Sequence, residues 1–200
     1  MELYPGIMFD NPLFDAETAF VVFQGQRRIA HGDQATAAHA AWRVRDDAPG
    51  PLVLDRRTGQ VVDFDLRGGA ADVAARHAPA PSEDSVAAPA RRGRPKLGVV
   101  AREVTLLPRH WDWLAAQQGG ASAALRRLVE AAARADGNAT RRRARVDAAY
   151  RFMSAMAGDL PGFEEASRAL YAHDREALRE RIRAWPADIA EETLTILGQA

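Results

Sequence analysis

Three kinds of apolar spacing follow one another along the chain. Near its start, "TAFVVF" (Thr18 to Phe23) and "RRIAHG" are short runs with β-branched and aromatic residues, the spacing of strands. "DQATAAHAAWRVRDD" switches to a helical spacing, with Asp33 placed to cap the first turn. "GPLVLDRRTGQVVDFDLRG" returns to strands: a hairpin turning at Thr58-Gly59, with Val53, Val61, Val62 and Phe64 as its strand residues. The predicted order is ββαββ, with Ala37, Ala41, Trp42 and Val44 covering the inner face of the sheet.

The pattern then stops. "HAPAPSEDSVAAPA" (His77 to Ala90) is rich in Pro, Ala and Ser and has no period, as expected of a linker. A short alternating stretch, about Val99 to Leu107, is followed by a helix opened by Pro108 and ended near Gly119-Gly120. Ser122 is the expected cap of a second helix carrying Leu125, Leu128, Val129 and Ala132 on one stripe. Further stripes follow in a final helical region: Val146, Tyr150 and Met153; Phe163, Ala166 and Leu170; Leu178, Ile182 and Trp185; Ile189, Thr193, Ile196 and Leu197. Their i, i+3, i+4, i+7 spacings form a core, so no chemistry is assigned to them. The predicted class is α+β: a small α+β domain at 1–76, a linker at 77–98, a strand-helix-helix unit at 99–136 and a helical region at 137–200.

Composition narrows the setting. With 47% hydrophobic and 27% charged residues, the chain has the make-up of an ordinary globular protein. No apolar run approaches the roughly 18 residues of a membrane span, and "MELYPGIMFDNPLFD" has no signal-peptide pattern. The absence of cysteine excludes disulfides, thiolate metal sites and cysteine nucleophiles, and fits a cytoplasmic setting.

Charge changes the picture more. The formal charges cancel overall, yet residues 91–145 hold 13 Arg and Lys against 4 acids. The flanking stretches are acidic, −5 over residues 1–90 and −4 over 146–200. A basic middle between acidic ends can bind a polyanion or dock on an acidic protein surface. Arginine accounts for every basic residue except Lys96, as a GC-rich genome favours, which lowers the information in any Arg-rich motif.

The middle carries two motif-like stretches. "RRGRPK" contains Arg92-Gly93-Arg94-Pro95 between Arg91 and Lys96 and resembles the core of an AT-hook. The resemblance implies an extended segment in the narrow minor groove of A·T tracts, with Gly93 on the groove floor and the arginines in its negative potential. "REVTLLP", "RHWDWLAAQ" and "GGASAALRRLVEAA" together resemble a ribbon-helix-helix unit. That resemblance implies a homodimer whose paired strands enter the major groove, with the helix start near Ser122 meeting a phosphate. The strand's phase departs from that pattern. One phase buries Glu103 and Thr105 and turns Arg102, Val104 and Leu106 to the groove; the other offers Glu103 and Thr105 to DNA. "RRRAR" (Arg141 to Arg145, with Arg142 and Arg143) puts positive charge at a helix start, against the macrodipole, and so favours an external anion or acidic partner.

Over nearly its whole length the chain resembles a bacterial family of unknown function. "FVVFQGQRRIAHGD", "VVDFDLRG", "RRGRPKLGVVAREVTLLPRHWDWLAAQ", "GGASAALRRLVE" and "FMSAMAGDLPGFEEASRALYAHD" carry that resemblance, which supplies no catalytic residue. His31, His39, His77, His110 and His173 include no zinc-type pair, and no nucleophile elbow or nucleotide-binding glycine pattern occurs. Neither cofactor nor metal is therefore expected. Three functions remain: duplex DNA binding through Arg91 to Lys96, Arg102, Thr105, Ser122 and Arg141 to Arg143; a protein-interaction module; and an enzyme using Asp55, Asp63 and Asp65.

Overall fold

A computed structural model describes residues 14–78 and 102–198. The described chain is α+β and divides into two units. One combines the residues up to 78 with those from Thr140 onward; the other comprises residues 102 to Ala139.

In the first unit, β1 (Phe20–Gln24), β2 (Arg27–Gly32), β3 (Pro51–Asp55) and β4 (Gln60–Val61) form an antiparallel sheet in the order β2-β1-β3-β4. The uninterrupted "FVVF" of β1 is explained by its central position. Val21 and Phe23 enter one core with Leu54, while Val22 enters another with Val53. Successive strand residues point to opposite faces, so an apolar run without alternation marks a strand buried on both sides.

The face bearing Val22 and Val53 is covered by α1 (Gln34–Arg43) through Ala37, Ala38 and Ala41, and by Val73 of α2 (Ala70–His77). The hairpin reading placed strand up to "VVDFDLRG", but β4 ends at Val61 and the chain turns irregular before α2, a helix the sequence pattern did not disclose. Asp33 caps α1 as expected, its carboxylate accepting the Thr36 N–H at 2.7 Å. Trp42 is only half-buried, its indole N–H donating to the Gly68 carbonyl.

The opposite face carries four helices of the final region: α5 (Ala139–Ala157), α6 (Phe163–Tyr171), α7 (Arg175–Ile182) and α8 (Ala187–Leu197). Phe152, Met153, Leu178, Ile182, Ile189 and Ile196 are buried there with Val21, Phe23 and Leu54. The sheet is thus the middle of three layers. The β3–β4 turn comes so close to α5 that a side chain at Gly59 (φ +69°) would strike the Ala148 carbonyl, so both position and backbone require glycine.

The second unit is an extended segment, residues 102–107, then α3 (Pro108–Ala115) and α4 (Gly120–Asp136). Residues 102–107, expected as part of a strand, belong to no strand of the sheet, and Val99 to Ala101 lie outside the described residues. Trp111 and Trp113 of α3 are exposed and Leu114 is buried. The stripe on α4 is half-buried at Leu125 and exposed from Leu128 onward. No helix among the described residues is long and apolar enough to cross a membrane.

Candidate nucleic-acid interface

The acidic residues suspected of chemistry are held by arginines. Asp55 is buried and grips Arg57 through two guanidinium bonds of 2.7 and 3.0 Å and the Arg57 N–H. The bond to Asp55 raises the Arg57 guanidinium against the effect of burial. Asp65 meets Arg67 at 2.8 Å and Arg76 at 3.5 Å. Its side-chain and backbone bonds from Arg67 hold the carboxyl well below the usual carboxylate range. Asp63 stands exposed outside any strand. Among the described residues no three His, Cys, Asp or Glu side chains form a metal-holding group, so Asp55, Asp63 and Asp65 do not converge.

The tightest ion pair lies on the sheet's helical side. Arg56 and Glu192, both buried, join through bonds of 2.6 and 2.7 Å. Arg28 adds a bond of 3.0 Å to Glu192 and another of 2.9 Å to Glu191, and its N–H donates to Asp188. Burial disfavours the charged Arg28, but its bond to Glu192 and the charge of Glu191 outweigh it and raise its pKa. Sequence reasoning missed this cluster. Its partners are 136 residues apart, and no local pattern links them. The buried Arg56 and Glu192 are partnered with each other and with Arg28, and the cluster locks α8 to the sheet.

The basic candidates have a different setting. Arg91 to Lys96 lie outside the described residues. Arg102 and Thr105 are exposed on the extended segment. Ser122 is exposed but is not the cap of α4: Gly119, at φ +85°, holds that position, and Ser122 is the third helical residue. The Gly-Gly turn starts the helix earlier than a Ser cap would, because only glycine takes that left-handed backbone without strain. Arg141, Arg142 and Arg143 are exposed in the first turns of α5. Arg102, Arg109, Arg126, Arg142 and Arg143 have no ion-pair partner among the described residues. Burial, then the charge of Arg141, pushes the Arg145 guanidinium down, and its Nε–H is buried with no hydrogen-bond partner among the described residues.

Fold and site together define an α+β protein with an ion-paired three-layer unit and a second, arginine-bearing helical unit. The chain belongs to the DUF2239 family, described as an uncharacterized protein conserved in bacteria, which matches residues 19–197. No curated protein and no solved structure matches it.

Proposed function

We propose that the protein binds duplex DNA through the basic residues of its middle. One observation supports the reading: Arg102, Arg109, Arg126, Arg142 and Arg143 are exposed and have no ion-pair partner among the described residues, unlike Arg28, Arg56, Arg57, Arg67 and Arg76. Guanidiniums without carboxylate partners leave positive potential at the surface, and a polyanion that neutralises it releases counterions. Arg102 and Arg141 to Arg143 serve as phosphate contacts, and the basic stretch from Arg91 to Lys96 adds charge in sequence.

A labelled duplex tests this. About six phosphate contacts give a log–log salt slope of about −5. Binding at about 50 mM salt that weakens with this slope supports the proposal. No shift of the duplex at micromolar protein overturns it. If poly-glutamate displaces the duplex as well as free DNA does, the middle is instead a docking surface for acidic proteins.

A further inference from the structure

Two of the chain's three tyrosines, Tyr150 and Tyr171, meet on the surface of the helical layer. Tyr150 lies in α5 and Tyr171 is the last residue of α6; their ring centroids are 5.4 Å apart, with the planes tilted by 54°. Phe163, at the start of α6, packs on Tyr150 with its centroid 6.3 Å away. The core pair Phe23 and Phe152, at a similar 5.8 Å, is sealed from water. The tyrosine pair is open: Tyr171 is 51% exposed and Tyr150 only half-buried. Neither hydroxyl has a hydrogen-bond partner among the described residues. Partial burial, then the charges of Asp147 and Tyr150, push the Tyr171 phenol up against the opposing charge of Arg151. The hydroxyl ends of the two rings therefore share one neighbourhood.

We propose that Tyr150 and Tyr171 are a site of oxidative cross-linking, joined as an intramolecular dityrosine by a one-electron oxidant, a haem peroxidase acting with hydrogen peroxide. Each phenol gives one electron to the peroxidase and its proton to water. The tyrosyl radical that remains carries part of its spin on the ring carbons beside the oxygen. One such carbon of each ring couples, and a single carbon–carbon bond forms. The hydrogen on each coupled carbon then shifts to its own oxygen, and both rings regain their aromaticity. One hydrogen peroxide takes up the two electrons and two protons and becomes two waters. Two phenols held in contact couple in an effectively unimolecular step, which tyrosines on separate chains cannot match in dilute solution. The chain has no cysteine, so no thiol of its own intercepts the oxidising equivalents. Because Tyr171 closes α6 and is exposed, its ring can complete the approach without unpacking the core. The link ties α5 to α6 across the turn at Pro161-Gly162 and restricts the unfolded chain as a disulfide would.

The full chain, without nucleic acid, is treated with a haem peroxidase and one equivalent of hydrogen peroxide. The product should be a single chain lighter by two hydrogens that shows the blue fluorescence of dityrosine. Trypsin should release residues 146–151 joined to residues 169–175, the fragments that hold the two tyrosines. Tyr150→Phe and Tyr171→Phe keep the ring contact but lose a hydroxyl. Each should cut the dityrosine carried by the monomer by roughly tenfold or more. Tyr4→Phe, at a position outside the described residues, should leave it unchanged. Dityrosine found only in covalent dimers overturns the proposal, as does a signal lost with Tyr4→Phe or kept with Tyr171→Phe. So does a chain left unaltered under conditions in which the same peroxidase couples free tyrosine.

Discussion

In the three-layer unit Arg28, Arg56, Arg57, Arg67 and Arg76 each reach a carboxylate, whereas Arg102, Arg109 and Arg126 of the second unit reach none among the described residues. The apolar residues divide in the same way. The sheet is buried on both faces, while α3 and α4 leave two tryptophans, a leucine and a valine exposed. One region is complete by itself. The other leaves both its charges and its large apolar side chains exposed.

The strongest way to break this contrast is Glu192→Ala. It strips the partner from a buried Arg56 and should cost about 3–5 kcal/mol, measured as a fall in the urea midpoint of the full chain. A loss below about 1 kcal/mol would match an exposed pair and would mean that the cluster is dispensable.

A smaller effect is expected at the start of α1. Asp33→Ala removes the acceptor for Thr36 and should cost about 1 kcal/mol. The bonds from Thr36 lower the pKa of Asp33 in the folded protein. The stabilisation is therefore fully present above the ordinary carboxylate value near 4 and is lost as pH falls through the depressed folded value. Wild type and Asp33→Ala should converge in stability only in that acid range. A gap that stays constant down to pH 2 would count against the cap.

The smallest effect on stability sharpens the comparison from within the three-layer unit, at the start of α5, where arginines also go without a carboxylate. Arg142→Ala with Arg143→Ala removes charges that have no ion-pair partner among the described residues, so unfolding should shift by less than about 0.5 kcal/mol. The same pair should flatten the salt slope of duplex binding by about 0.9 for each phosphate that is no longer neutralised. A large destabilisation with an unchanged slope would make these arginines structural.

Much of the first unit is legible in its spacing. The ββαββ order, the cap at Asp33 and the turn at Thr58-Gly59 arise from interactions between residues close in sequence. The helical stripes from Val146 to Leu197 also mark the residues that form the core. The second face of the sheet was not legible, although the unbroken "FVVF" was its local sign. What covers it depends on contacts more than a hundred residues apart, such as Arg56 with Glu192. α2 escaped because Val73 is its one buried apolar side chain, too little for a period. In the candidate site, alternation in "REVTLL" indicated an extended backbone but not its partner, since pairing is a property of two segments and only one can be read.

The distance between Arg56 and Glu192 also bears on how the protein is made. The 136 residues that separate them take on the order of ten seconds to synthesise at roughly 5–20 residues per second. During that interval the Arg56 guanidinium has no Glu192 to meet, and the sheet face gains its helices one after another. The three-layer unit can close only when α8 arrives. A nascent chain released before Glu192 therefore leaves the Arg56 guanidinium without its carboxylate and the sheet face without the side chains of α8.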